Sequence, residues 1–147
     1  MASIFTNIIR GESPAERLFE TEHELAFLDI HPKSTGHTLV VPKLEVASFH
    51  ELPPERAASL AATLNTVARA VSEAMGTPNY NLWLNNGAPA GQVVFHVHMH
   101  IIPRYGGNPF TGASGARSSL REVGARIRAA LRALPPAQRV PGDVPED

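Results

Sequence analysis

Residues 95–102 read Phe95-His96-Val97-His98-Met99-His100-Ile101-Ile102, in which imidazole and apolar side chains alternate strictly from Phe95 to Ile101. In a β-strand successive side chains point to opposite faces. The reading therefore lines His96, His98 and His100 along one face, ~6–7 Å per two-residue step. Phe95, Val97, Met99 and Ile101 line the other face, free to enter a core. The alternation places the chain's longest strand over Val93 to Ile102, stopped by Pro103.

Working outward from that strand, the loop before it is Asn85-Asn86-Gly87-Ala88-Pro89-Ala90-Gly91-Gln92. Glycines there let backbone N–H groups approach an anion as a concave nest; a plain connecting loop is the alternative. Tyr80 to Leu84 reads as a strand. Pro53 and Pro54 open the long helix, where a missing N–H does little harm. Its stripe of Leu60, Leu64, Val67, Val71 and Met75 recurs every three or four residues and predicts one buried face. Gly76 and Pro78 end it. His37 to Val41 is a β-branched run stopped by Pro42. Residues 16–20 and 24–30 read as two strands around a turn near Thr21–His23. At the start, Ser3 is an N-cap for a short helix that places Ile4, Phe5 and Ile8 on one face and ends at Gly11. Strand pairs, one long helix and two further strands, without βαβ repetition, predict an α+β fold on an antiparallel sheet.

Beyond Arg104 the composition changes. Residues 105–116 are Gly-rich, which predicts a mobile linker. Helical spacing returns over 118–134 through Leu120, Val123, Ile127, Leu131 and Leu134, with Arg117, Arg121, Arg126, Arg128 and Arg132 around it. Residues 135–147 are Pro-rich and acidic at their end, a composition that predicts a disordered tail. The expected organisation is thus a domain over 1–104, a linker and helix over 105–134, and the tail.

The 147 residues suit one hydrophobic core, and the absence of cysteine excludes disulfides and thiolate metal sites. A net charge of −1 gives no global field favouring nucleic acid or an anionic membrane. No apolar run approaches the ~20 residues of a membrane span. The start, Met1-Ala2-Ser3-Ile4-Phe5, has no basic region followed by an apolar core. The expectation is a cytoplasmic protein with neither nucleic acid nor membrane as partner.

Three chemistries fit three histidines on one face. One is a solvated polar surface. Another is a zinc site, since imidazole is a common ligand, although three histidines at two-residue steps need a bend to converge on one ion. The third is nucleophilic attack at phosphorus, with one neutral imidazole attacking and its neighbours orienting it or donating to phosphate oxygens. The anion-binding loop beside the strand favours the third.

His96 to Ile102 also resembles the signature of the histidine-triad family, His-φ-His-φ-His-φ-φ with φ apolar. The motif gains specificity from Asn85-Asn86-Gly87 and Gly91-Gln92 before it. The likeness covers about residues 3–104 and is closest to the Hint branch and its bacterial members. It implies a five-stranded antiparallel sheet with one long and one short helix, to which this chain adds its C-terminal helix. The resemblance makes His98 the nucleophile toward an α-phosphorus, His100 a contact to the phosphate oxygen and leaving atom, His96 the support of the nucleophile's ring, and His37 a further supporting histidine. It gives Gly91, Gln92, Val93 and Val94 to the phosphate, the last through its backbone N–H, and Asn85 to phosphate and sugar. Asp29 would accept from both ribose hydroxyls, since one carboxylate presents two acceptor oxygens to a vicinal diol. Ile4, Phe5, Ile8, Phe27, Ile30 and Leu39 would form the slot for a purine base. From the residues alone those six are core candidates, and Asp29 is a strand-end carboxylate facing water. The family also implies a homodimer joining two sheets, with the long helix at the interface.

Two departures stand out. Many bacterial members carry Cys-x-x-Cys near the N-terminus and a histidine after the Pro-Lys turn, which help bind structural zinc. Here those positions hold Ser3, Thr6 and Glu45, so no metal and no cofactor are expected. Val93 stands where Hint enzymes often have a serine able to donate to a leaving nitrogen. His100 separates the chain from the uridylyltransferase branch, which has glutamine there. The expectation is a hydrolase of purine nucleoside phosphoramidates or related nucleotides, acting through a nucleotidyl-histidine. A dinucleoside polyphosphate hydrolase using Arg104 and the C-terminal arginines is one alternative. A nucleotide-binding scaffold using the C-terminal helix is another.

Overall fold

The computed structural model describes residues 1–106 and 117–147, so most of the expected linker lies outside the described residues. In chain order the elements are α1 (Ile4–Ile9), β1 (Arg17–Glu20), β2 (Glu24–Leu28), β3 (Thr38–Pro42), α2 (Pro54–Met75), β4 (Tyr80–Trp83), β5 (Met99–Pro103) and α3 (Arg117–Ala133). The strands form one antiparallel sheet in the order β1-β2-β3-β5-β4. Among the described residues no helix is long and apolar enough to cross a membrane.

β2 and β3 are buried at every position, and their alternation explains how. Ala26, Leu28 and Val40 enter a large core with Leu60, Leu64, Val67, Val71 and Met75 of α2 and Ile127 and Leu131 of α3. Leu25, Phe27, Leu39 and Val41 enter a second, smaller core with Phe5 and Ile8 of α1. The sheet is therefore covered on both faces, by two long helices on one and by one short helix on the other. α2 starts with Pro54 at its first turn and ends on Gly76 at φ 68°, the left-handed cap that glycine takes without strain. Ser3 caps α1, its hydroxyl accepting from Thr6 N–H. The apolar stripe of α3 lies against α2 and β1, so its own domain covers it.

The structure corrects the sequence reading in three places. The long strand expected over Val93 to Ile102 is ordered as β only from Met99. Pairing with β3 runs through Thr38↔Ile101, Leu39↔His100 and Val40↔Met99 and stops as β3 reaches Pro42. The Pro42 carbonyl is taken by the His96 ring at 2.7 Å, and Val97 N–H turns to the Val46 carbonyl at 2.9 Å. Phe95, expected to enter the core, is 54% exposed because it precedes the paired strand.

The tail expected to be disordered is tied down instead. Asp143 exchanges both backbone hydrogen bonds with Glu20, at 2.9 and 2.7 Å, and caps the open edge of β1. Val140 and Val144 pack on the core. The buried Arg128 guanidinium binds Glu16 at 2.8 Å, the Arg17 carbonyl at 2.9 Å and the Asp147 carboxylate. Two valines and one ion-pair network outweigh the Pro-rich composition.

Candidate active site

His100 lies on β5 opposite Leu39, whose side chain belongs to the core beneath α1. Directly paired residues share a face, so His100 points to the α1 side of the sheet. His98 follows on the same side, its ring centroid 4.9 Å from that of His100 and edge-on at 63°. The Phe5 ring of α1 closes the group from above, 4.9 Å from His98 and 5.8 Å from His96. The three histidines do converge, although only the last is on a regular strand.

Their hydrogen bonds fix which nitrogen carries each proton, because a backbone carbonyl can only accept and a backbone N–H can only donate. His98 Nδ1 meets the His96 carbonyl at 2.7 Å, so Nδ1–H donates and the lone pair is left on Nε2. His96 Nε2–H donates to the Pro42 carbonyl at 2.7 Å, so Nδ1 accepts, here from the Ser3 hydroxyl at 2.6 Å. Lys33 N–H donates to His37 Nδ1 at 3.0 Å, which puts the His37 proton on Nε2. That Nε2–H then donates to His100 Nδ1 at 2.9 Å, leaving His100 with an N–H on Nε2. The site thus contains one imidazole with a free lone pair, His98, beside one with a free donor, His100.

All four rings are held neutral. Burial is the first cause of the lowered pKa at His37, His96 and His98. At His100 burial, helped by the neighbouring His98 and His37, lowers it to about 4. An uncharged imidazole near pH 7 is the form that can attack phosphorus or coordinate a metal.

Asp29 follows β2 directly. Its Oδ1 accepts from His31 N–H at 2.8 Å and its Oδ2 lies 3.5 Å from His37 Nε2. Ligand atoms of Asp29, His37 and His100 lie within 4.8 Å of one another, close enough to surround a metal ion. The proton assignment argues against it. A metal on His37 Nε2 would displace the proton that donates to His100 and shift it to Nδ1, where it would oppose the Lys33 N–H, so both hydrogen bonds would be lost.

The six apolar positions divide. Phe5, Ile8, Phe27 and Leu39 form the small core, while Ile4 and Ile30 are 48% and 56% exposed and open to a ligand. The anion loop is shaped by Gly87 and Gly91, at φ 89° and 98°. A Cβ on Gly91 would also meet Asn85 Nδ2 at 3.3 Å. Gln92 departs from the role expected of it. Its side chain is buried, with Oε1 accepting from Gly87 N–H at 2.7 Å and Nε2 donating to the Ala47 and Val94 carbonyls at 2.7 and 3.1 Å. Both amide protons are engaged, so it braces the loop and has none left for a phosphate. The backbone N–H groups of Val93 and Val94 have no partner among the described residues. Val93 itself is 84% exposed.

A cavity of about 700 Å³ lies elsewhere, between the β1–β2 turn, α2 and the tail, and none of the triad lines it. Its inner carboxylates are already satisfied. Glu20 pairs with Arg17 and Lys43, and the fully buried Glu24 accepts from the hydroxyls of Thr21, Ser59 and Thr63, each at 2.6 Å. Sequence reading missed Glu24 because its three hydroxyl partners lie up to 39 residues away.

A family model described as the HIT domain matches residues 10–107, and the chain belongs to that family. It is 46% identical over 101 residues to an adenylylsulfatase of Arabidopsis thaliana, a match covering 69% of this chain and 51% of that protein, so it spans about half the relative's length. It is also 46% identical over 104 residues to an adenosine 5′-monophosphoramidase of Schizosaccharomyces pombe, covering 71% and 75% of the two chains. A zinc-bound histidine triad family protein from Mycobacterium smegmatis superposes with a TM-score of 0.80 at 38% identity, over 90% of this chain and 94% of that one.

Proposed function

We propose that the protein hydrolyses purine nucleotides at the α-phosphorus through a covalent nucleotidyl-His98 intermediate. The observation that carries this reading is the His98 Nδ1–H bond to the His96 carbonyl, which turns the Nε2 lone pair into the ring's only nucleophilic position. Nε2 attacks phosphorus, the P–N bond forms, and the leaving group departs with the electrons of its own bond to phosphorus. The positive charge on the phosphorylated ring is stabilised by the carbonyl at Nδ1. His100 Nε2–H donates to a phosphate oxygen or the leaving atom, and the N–H groups of Val93 and Val94 face the remaining oxygens. Water then attacks phosphorus, the P–Nε2 electrons return to the ring, and the surplus proton passes to solvent, releasing the nucleoside monophosphate.

Asp29 would take the ribose diol, and Ile4 and Ile30 would flank the base. The relatives act on an adenylyl group, with sulfate in one name and a phosphoramidate in the other, which supports an adenosine-type nucleotide here. Val93 offers no hydroxyl to a leaving nitrogen, so leaving groups that need no such donor are favoured. The test is AMP release from adenosine phosphoramidate and adenylyl sulfate by wild type and His98→Ala. Equal rates would remove His98 from the mechanism.

The polyphosphate and scaffold alternatives lose their motivation. Arg104 is bound to Asn81 Oδ1 at 3.0 Å and Arg126 to the Ala74 carbonyl at 2.8 Å. Arg128 is buried in its own ion pairs, and the α3 stripe is covered by α2.

A further inference from the structure

Four polar side chains from three separate segments meet beside the triad. Ser3 and Thr6 come from the first turn of α1, Glu45 from the stretch after β3, and His96 from the run before β5. Glu45 Oε1 accepts from Ser3 N–H at 2.8 Å and from the Thr6 hydroxyl. The Ser3 hydroxyl donates to His96 Nδ1 at 2.6 Å while accepting from Thr6 N–H at 3.1 Å. Every donor in the group has an acceptor within it, and the group continues through His96 Nε2–H to the Pro42 carbonyl. The two donors on Glu45 hold its carboxyl down to about 2, so it is charged at any pH of use.

α1 has six residues, far below the ~12–15 at which an isolated helix persists. Its place depends on tertiary contacts, and this group supplies the polar ones at its N-terminal end, while Arg17 holds the other end through the Ile8 carbonyl at 2.7 Å. What α1 carries is functional: Phe5 lies edge-on to His98 and His96, and Ile4 is open at the site. A displacement of α1 therefore reaches the nucleophile and the base slot together.

The same four positions are a poor zinc site. Structural zinc takes thiolates and imidazoles in a closed tetrahedron. Here two donors are neutral hydroxyls, the near carboxylate oxygen already accepts two hydrogen bonds, and His96 Nδ1 already accepts a third. The protein from Mycobacterium smegmatis with the same fold is zinc-bound, but these residues do not fit that ion.

We infer that Ser3, Thr6 and Glu45 are positioning residues that form a metal-free polar staple, docking α1 onto the triad and holding the His96 ring in the orientation that presents its carbonyl to His98. The inference rests on the proposed function for its kinetic readouts and stands apart from it in the metal and AMP-binding ones. Glu45→Ala removes the acceptor for two donors and loosens α1. The KM for the nucleotide and the AMP Kd should both rise ~10-fold, with kcat changing less than ~3-fold, the scale of one or two lost charged hydrogen bonds. Glu45→Gln keeps an acceptor oxygen and should recover most of that loss. Ser3→Ala frees His96 Nδ1 and should lower kcat more than it raises KM, while Ser3→Thr restores both.

Wild type purified without added metal should hold no stoichiometric zinc, and a chelator should leave its Tm unchanged. The triple variant Ser3→Cys, Thr6→Cys, Glu45→His should gain zinc, because the positions already converge. Stoichiometric zinc in wild type, a Tm lowered by chelation, or equal AMP affinities for wild type and Glu45→Ala would each overturn the inference. A wild type that binds AMP but turns over no substrate would overturn the hydrolase reading, and the zinc and AMP measurements would still decide the staple.

Discussion

His37→Ala tests the proton arrangement at its most informative joint. In the wild type, Lys33 N–H at 3.0 Å sets the His37 tautomer, and His37 Nε2–H at 2.9 Å sets that of His100. Removing the His37 ring deletes the donor to His100 Nδ1. It leaves the Asp29 carboxylate, with an oxygen within 4.8 Å of a His100 ring nitrogen, as the nearest charged group, able to accept once it closes into the space the ring vacates. A hydrogen bond to a charged acceptor is worth ~1.5–3 kcal/mol net. That draws the His100 proton from Nε2 to Nδ1 and depopulates the donor form by ~10- to 100-fold, taking ~1.4 kcal/mol for each factor of ten. The expected result is a fall in kcat of that size, at or below the ~10²–10³ lost when an anion-stabilising donor is removed altogether. AMP release from adenosine phosphoramidate is the assay, and ¹⁵N NMR of the imidazoles reads the tautomer directly. Activity within ~2-fold of wild type, with His100 still protonated on Nε2, would refute the reasoning.

His98→Ala should reduce AMP release by several powers of ten, as removal of other nucleophiles does, with AMP still bound; retained turnover would move the nucleophile elsewhere. The pH response has a defined sign. Each triad ring has a folded pKa below its ordinary value, so the unfolded chain binds more protons in between and stability rises with pH there. The histidine contribution should be complete above pH ~6.5 and erode as pH falls toward the folded values, about 4 for His100. Activity should follow the neutral form of His98, flat above pH ~6.5 and falling on the acid side, which a pH–kcat/KM profile checks. Arg128→Ala should lower unfolding stability by ~2–3 kcal/mol, less than for a fully buried pair because Asp147 is half exposed, as measured by urea denaturation. Among the described residues β4 pairs on one side only and exposes Tyr80 and Leu82 at 39% and 46%, so sedimentation should find a dimer in wild type and a monomer in Leu82→Lys.

The helices and the sheet were legible because each is a periodic pattern. The α2 stripe repeats at helical spacing, and the apolar runs Leu25–Leu28 of β2 and Leu39–Val41 of β3 suit strands covered on both faces. The triad was legible as a group for the same reason. The extent of its strand was not, because Pro42 ends the pairing from the neighbouring strand, and periodicity in one segment carries no information about its partner. The order of the tail was hidden by composition: Val140 and Val144 are two residues among prolines and acids, and their value depends on the core they pack against and on the Asp143 bridge to Glu20 beside them. Gln92 shows the limit of a matched motif. Its position agrees with the family pattern, but its side-chain protons are taken by the carbonyls of Ala47 and Val94.

The proton assignment lies deepest, and it separates what spacing can say from what folding adds. Alternation puts three imidazoles on one side of the chain and treats them as equals. They become unequal through acceptors and donors supplied from elsewhere: the His96 carbonyl for His98, the Pro42 carbonyl and Ser3 hydroxyl for His96, and His37 for His100. Two of these are backbone carbonyls, which any sequence possesses, so no residue type could announce them. One consequence follows for the middle ring. Its Nδ1 bond is to the backbone of His96, so the nucleophile's tautomer should survive His96→Ala as long as the loop path is kept. The orientation of that path depends on the Ser3 and Pro42 contacts of the His96 side chain. The first histidine therefore acts on the second through its own peptide group, and its ring is the anchor that holds that peptide in place.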